Sequence, residues 1–88
     1  MTLPDLLRLA CTLLDADHHE VTTGNRKQPH LQHRQIITIA LWQDGHTFTD
    51  IAKALNQHHT TTMHTVYTHW NNPTLTAAAK HLSWQLDQ

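Results

Sequence analysis

Apolar positions along this chain recur at helical spacing and are separated by short polar stretches. Residues 2–15 combine Thr2 and Asp5 in capping-box spacing with leucines at positions 3, 6, 7, 13 and 14, which predicts a helix. Residues 17–29 are polar, contain a basic Gly-Asn-Arg-Lys turn and end at Pro29. They are predicted to form a loop with one helical turn near Glu20.

Two more long helices are indicated by the apolar pattern. Residues 30–44 form the first, and Gly45 follows where a left-handed C-terminal residue is favourable. The second begins at Asn72-Pro73, which supplies an N-cap followed by proline at the first helical position. The apolar positions of the two segments are Leu31, Ile36, Ile37, Ala40 and Leu41, and then Leu75, Ala79, Leu82 and Leu86.

The middle of the chain predicts a short helix followed closely by a longer one. Thr47 to Asp50 has a capping form, and about two helical turns follow before polar Asn56-Gln57. A helix over residues 58–70 places Met63, Val66 and Trp70 on one stripe that is expected to face the core. No repeat or linker divides the chain, so residues 1–88 are predicted to be one all-α domain, a small helical bundle.

The short helix, tight break and longer helix have the layout of a helix-turn-helix over about residues 48–70. In that motif the second helix enters the major groove of DNA. Five of the eleven residues 60–70 are threonine, which disfavours helix but contacts thymine methyl groups and base edges well. The alternative is a general threonine richness, since Thr22, Thr23 and Thr76 lie outside this segment.

Three segments resemble the C-terminal DNA-binding domain, domain IV, of the bacterial replication initiator DnaA, which has a Trp-repressor-like fold. The segments are Arg34-Gln35-Ile36-Ile37, Phe48-Thr49-Asp50-Ile51-Ala52 and His59-Thr60-Thr61-Thr62-Met63-His64. The family pattern has an Arg-Gln helix start, a capping Leu-Pro-Glu-Ile and Asp-His-Thr-Thr-Val-Leu-His. The resemblance covers residues 21–88, and residues 1–16 are a lead-in helix.

The resemblance implies base contacts in the major groove from His59 and Thr60. Thr61 and His64 match positions that support this contact or touch a phosphate. His58 replaces the family's aspartate, which can accept from a cytosine amino group, so we expect it among the base contacts with an altered sequence preference.

The resemblance also implies contacts to the DNA backbone. Arg34 and Gln35 match a pair that bonds phosphates at the start of its helix. Arg26 matches an arginine that enters the minor groove, and Lys27 is expected to assist electrostatically. The family's capping proline is Thr49 here and a late lysine has no counterpart, so phosphate affinity should be weak and the salt dependence shallow.

The charge of the chain argues against DNA binding, whereas the motifs favour it. Six Lys and Arg residues oppose seven Asp and Glu residues, which gives a formal net charge of −1, whereas nucleic-acid binders are usually basic. Ten histidines make the charge conditional on pH. Affinity for double-stranded DNA is therefore expected to rise as the pH falls from about 8 to about 6, because His58, His59 and His64 are expected to lie near phosphates.

Several function classes are excluded or disfavoured by what the chain contains. Two glycines and no phosphate loop leave no means to hydrolyse ATP, so a stand-alone replication or transcription regulator without catalytic activity is expected. Cys11 has no disulfide partner, which indicates a cytoplasmic protein. Only His30 and His33 have clear metal-ligand spacing, so neither a metal nor a cofactor is expected. No apolar run is long enough for a membrane span.

Two alternatives remain open from the sequence. The Thr and His face can contact a protein instead of DNA, in a module that binds or blocks a host replication initiator. A dimeric phage-type repressor is the other alternative, with half-sites about 34 Å apart and the lead-in helix as the homodimer surface. Trp42, Trp70 and Trp84 are interpreted as core or edge-of-core residues in either case.

Overall fold

The computed structural model describes residues 2–88, and these residues fold into six helices. The predicted all-α class is confirmed, and the helical turn expected in the first polar stretch is the five-residue α2. The helices are α1 (Leu3–Leu14), α2 (His18–Thr22), α3 (His30–Gln43), α4 (Phe48–Ala54), α5 (His59–His69) and α6 (Pro73–Leu86). None of the described helices is long and apolar enough to cross a bilayer.

α3 is the central helix and contacts all five others. A helix surrounded on every side must be apolar around its whole circumference. Its second half meets this requirement, because every residue from Ile36 to Leu41 is buried. The only hydroxyl in this run, that of Thr38, donates to the Arg34 carbonyl at 2.7 Å and so leaves no unpaired polar atom.

The helix ends follow the sequence signals closely. Thr2 and Asp5 form the full capping box at the start of α1, and the Asn72 carboxamide accepts from the backbone N–H groups of Thr74 and Leu75. Gly45 has φ +95° after α3, where the His46 N–H donates to the Leu41 carbonyl at 3.1 Å. This left-handed residue ends α3 as predicted.

The connection between α4 and α5 is a four-residue turn from Leu55 to His58. Asn56 adopts φ 56°, a conformation that asparagine tolerates better than most side chains. The next residue, Gln57, donates its backbone N–H to the Ala52 carbonyl at 2.9 Å and its side-chain amide to the Thr62 hydroxyl at 2.8 Å. The turn is therefore bonded to both helices that it joins.

The predicted core stripe of α5 was partly wrong. Val66 is buried as expected, but Trp70 is 56% exposed and the second fully buried side chain is Thr62. Trp84 is 61% exposed and Trp42 is 38% exposed, so the three tryptophans are not core residues. The hydroxyl of Thr62 can be buried because Gln57 pairs it, and the tertiary packing then sets the rotation of α5.

α1 packs against α3, α4 and α6 and closes the core there. Leu7, Ala10 and Cys11 are buried, and four further leucines of this helix are partly buried against the core. Leu13 is the one exposed large apolar side chain of α1 among the described residues, at 39%. Burial, and secondarily the charge of Asp17, raise the pKa of the Cys11 thiol, which disfavours the reactive thiolate.

Candidate nucleic-acid interface

The exposed N-terminal end of α5 begins at His58, whose side chain is the N-cap of the helix. Its Nδ1 accepts from the Thr60 backbone N–H at 3.2 Å, and the Thr60 hydroxyl lies 2.7 Å from the same nitrogen. The Nδ1 atom therefore acts as the acceptor that caps the first turn of α5. The position that departs from the family pattern thus has a structural role.

His59 and Thr60 lie beside this cap on the solvent side of α5. The rings of His58 and His59 are 4.4 Å apart between centroids with an interplanar angle of 31°. All three side chains are exposed, and no other helix covers them. Two imidazoles and one hydroxyl are therefore presented together at the first turn of α5.

A cleft of about 360 Å³ lies next to this end, between α5, α3 and the loop that precedes α3. It joins the face of α5 that carries Thr61 and His64 to the arginines of the loop and of α3. Its lining residues are Gly24, Arg26, Leu31, Arg34, Gln35, Gln57, Thr61, His64, Thr65 and His69. No carboxylate is among them in the part of the chain that the structure describes.

Arg34 has a structural role that the sequence did not indicate. Its side chain is only 7% exposed, and its guanidinium donates to the carbonyl oxygens of Val21, at 3.3 Å, and Asn25, at 3.0 Å. These bonds tie the end of α2 and the basic loop to α3. A guanidinium has five N–H donors, so donors remain for a ligand in the cleft that Arg34 lines.

The basic loop is ordered by Asn25. Its amide donates to the Glu20 carboxylate, its side-chain oxygen accepts from the Lys27 backbone N–H at 2.8 Å, and its carbonyl accepts from Arg34. Arg26 and Lys27 follow directly and are both exposed. The loop therefore presents two exposed cationic side chains on a backbone that Asn25 holds in place.

The electrostatics of the cleft differ from those of the whole chain. Burial first, and the neighbouring positive charge of Arg26 second, lower the pKa of Arg34. Two guanidinium groups therefore repel each other at a site without a lining carboxylate. An anion bound between them relieves this repulsion, so the local charge favours phosphate although the formal net charge is −1.

Gln35 meets His69 across the cleft. The Gln35 Nε2 and His69 Nε2 atoms are 3.2 Å apart, which links the first turns of α3 to the end of α5. Both residues also line a second cleft, of about 480 Å³, between the loop, α3 and the start of α6. The pair therefore borders both clefts.

The structure brings five of the nine predicted contact residues together in the first cleft. These are Arg26, Arg34, Gln35, Thr61 and His64. The other four lie outside it, with His58, His59 and Thr60 at the exposed tip of α5 and Lys27 on the loop.

Sequence reasoning missed three polar residues of the cleft, Gln57, Thr65 and His69. Thr61, Thr65 and His69 recur every four residues, so they share one face of α5. That spacing is visible in the sequence and is the signal that could have identified them. Gln57 gives no such signal, because it lies in a turn whose fold depends on its bond to Thr62.

His30 and His33, the pair with metal-ligand spacing, lie in the first turns of α3. The Nδ1 atoms of both are enclosed and have no hydrogen-bond partner. Within residues 2–88 no group of three or more histidine, cysteine or carboxylate side chains is positioned to hold a metal ion. We therefore assign no metal to this pair.

No family model, curated protein or solved structure matches this chain. The function therefore has to be argued from the arrangement of the side chains themselves.

Proposed function

We propose that this protein binds double-stranded DNA at a short site related to the DnaA box. In this proposal α4 and α5 act as a helix-turn-helix, and the N-terminal end of α5 enters the major groove. In this proposal the domain acts in the regulation of replication or transcription through its binding to that site.

One observation carries the proposal: the exposed His and Thr tip of α5 adjoins a cleft that contains two arginines and no lining carboxylate. Base edges are read by hydroxyl and imidazole groups, whereas phosphates are held by guanidinium and amide donors. Both kinds of group are needed on one side of a DNA-binding protein. They come here from α5, α3 and the basic loop, which are far apart in sequence.

The dimensions of α5 agree with this placement. The major groove is about 12 Å wide and admits one helix, with the groove walls formed by phosphates. His64 lies four residues after Thr60, which is about 6 Å along the helix axis. A helix that contacts bases through Thr60 therefore brings His64 and the adjoining cleft towards one phosphate strand.

The proposal is tested by fluorescence anisotropy with a labelled duplex carrying the box TTATCCACA and a shuffled duplex, at low and moderate salt. We expect preferential binding to the box and a loss of about 1–3 kcal/mol of discrimination in His59→Ala. His81→Ala is the matched control, because His81 is an exposed histidine of α6 outside the cleft. Equal weak binding to both duplexes would indicate a different site, and no binding to either would overturn the proposal.

Arg26→Ala is the better probe of the cationic contacts that the basic loop makes to the minor groove and the DNA backbone. Arg34→Ala removes the two bonds that hold the loop, so a loss of binding in that variant mixes folding with contact. Arg26 is exposed, and its removal should weaken binding to both duplexes by a similar factor. The slope of log affinity against log salt should also fall in magnitude by about 0.9.

A protein-binding module is the second candidate function, and the exposed aromatic side chains favour it. Tyr67, Trp70 and Trp84 are 64%, 56% and 61% exposed, and such residues are common anchors of protein interfaces. A host replication initiator is the partner to test if neither duplex binds. Analytical ultracentrifugation of the chain alone tests the homodimer that the repressor alternative requires.

A further inference from the structure

The contact between Gln35 and His69 has two possible hydrogen-bond arrangements, and each faces the cleft with different chemistry. The Nε2 atom of a glutamine only donates. The two Nε2 atoms are 3.2 Å apart, so with this orientation of the amide the His69 nitrogen is the acceptor. One of the two amide N–H groups of Gln35 is then engaged by His69.

A neutral His69 with its hydrogen on Nε2 can donate to the Gln35 amide as well as accept from it in the other tautomer, whereas protonation of His69 leaves only the donating arrangement. A ring with hydrogen on both nitrogens only donates, so the Gln35 amide must turn its Oε1 towards His69. Both N–H groups of Gln35 are then free to donate to a ligand. A positive charge is added to the wall of the cleft in the same step.

The charged groups around His69 indicate that its protonation favours the binding of an anion. The charged or titratable side chains around the first cleft are Arg26 on the loop, Arg34 on α3 and His64 on α5. The second cleft, which Gln35 and His69 also line, is otherwise lined by uncharged residues of the loop, α3 and α6, namely Gln28, Pro29, Gln32, Asn72, Thr74 and Leu75. No carboxylate lines either cleft in the described residues, so a bound phosphate is the partner that pairs a protonated His69.

We propose that His69 is a positioning residue that turns the Gln35 amide towards a DNA phosphate, and that binding of this phosphate takes up one proton at His69. The proposal rests on the proposed function, because it assumes that the cleft faces the DNA backbone. His69 does not itself have to touch the phosphate. It acts through Gln35, 34 residues earlier in the chain.

The first test is the pH dependence of duplex binding. Uptake of one proton makes the affinity rise by up to about tenfold for each pH unit of acidification over the titration range. We expect wild-type affinity to rise about tenfold or more between pH 8 and pH 6. His58, His59 and His64 contribute to this rise in wild type and variant alike. We expect His69→Asn to lower the slope of the rise by up to one proton, since its amide can present either end without a proton. His81→Asn removes a titrating ring outside the cleft and should keep the wild-type slope.

A purely structural role of His69 predicts a different result. In that case His69→Asn weakens binding by the same factor at every pH, and the slope stays that of the wild type. This outcome overturns the proposal while leaving DNA binding intact. Isothermal titration in buffers of different ionisation enthalpy measures the proton uptake directly, and an uptake that does not differ between wild type and His69→Asn also overturns it.

The second test uses inorganic phosphate and the unmodified protein, so it does not depend on a variant or on DNA. NMR spectra of the Gln35 side-chain amide and the His69 ring are recorded over pH with and without phosphate. We expect the Gln35 signal to follow the titration of His69, and phosphate to move that titration to higher pH. If no duplex binds but this shift is present, the proposed function fails and the proton-coupled site stands; without the shift the inference fails.

Discussion

α3 and α5 face each other across the same cleft, yet they are built in opposite ways. α3 is buried from Ile36 to Leu41 and contacts every other helix, whereas α5 buries only Thr62 and Val66. α3 therefore supplies the rigid side of the cleft and α5 supplies the exposed one. The difference shows how a small domain can devote one helix to its core and another to a ligand.

The sharpest test of this comparison truncates one side chain of each helix to alanine. Ile39 is fully buried on α3, so Ile39→Ala should lower the free energy of unfolding by about 2–5 kcal/mol. Thr60 is exposed on α5, so Thr60→Ala should change it by less than about 0.5 kcal/mol. Urea unfolding followed by circular dichroism measures both.

Duplex affinity should respond in the reverse order. At a temperature where both variants are folded, Ile39→Ala should bind as the wild type does, and Thr60→Ala should bind more weakly. A destabilisation of Thr60→Ala comparable to that of Ile39→Ala would mean that α5 is also a core helix, and the contrast would be wrong.

The two arginines of the cleft give a second comparison of the same kind. Arg34→Ala leaves the carbonyls of Val21 and Asn25 without their donors and should cost about 1–3 kcal/mol of folding stability. Arg26→Ala should cost less than about 0.5 kcal/mol, because Arg26 is exposed. Thermal unfolding of the two variants, measured in parallel, tests the difference, and equal losses would contradict it.

His58→Asp tests how much the N-cap of α5 contributes to the free energy of unfolding. Aspartate is a preferred N-cap and its charge suits the helix N-terminus, so we expect a gain of about 0.5–1 kcal/mol at neutral pH. Chemical unfolding at neutral pH measures it.

Asn72→Asp, a substitution at the N-cap of α6, is the control for this variant. It should show a smaller gain, because asparagine is itself a preferred N-cap and the Asn72 carboxamide already accepts from the backbone N–H groups of Thr74 and Leu75. A gain in His58→Asp no larger than that in Asn72→Asp would contradict the prediction.

The smallest effect is expected at the far end of the molecule, in the capping box of α1. The hydroxyl of Thr2, and secondarily its backbone N–H, lower the pKa of Asp5 from the usual 3.8. Because the folded-state pKa is depressed, the contribution of Asp5 is present above about pH 4 and is lost as pH falls through its folded value. The stabilities of wild type and Asp5→Asn should therefore converge on acidification, and a constant difference down to pH 2 would contradict this.

The six helices could be predicted from the sequence because each has a local signal. The capping residues Thr2, Thr47 and Asn72 mark three helix starts, and Gly45 marks an end. These signals involve residues within a few positions of each other, so no knowledge of the fold is needed to identify them.

The candidate site was predictable only as far as its residues follow helix spacing. The buried contacts of Arg34 are to backbone carbonyls 13 and 9 residues away, and Gln35 meets His69 only after α3 and α5 pack. The error at Trp70 has the same origin. Periodicity places Trp70 and Val66 on one side of α5, but α5 ends at His69 and no neighbouring helix covers the residue after it.

The bond between Gln57 and the buried Thr62 fixes the rotation of α5 about its own axis. If one residue is inserted into the turn from Leu55 to His58, α5 has to rotate by about 100° for the chain to remain connected. A different side chain of α5 then meets the core. Thr61 or Met63 would take the place of Thr62, and the His and Thr surface would face another direction. The number of residues in this turn therefore determines which face of α5 is exposed, independently of which residues the helix carries.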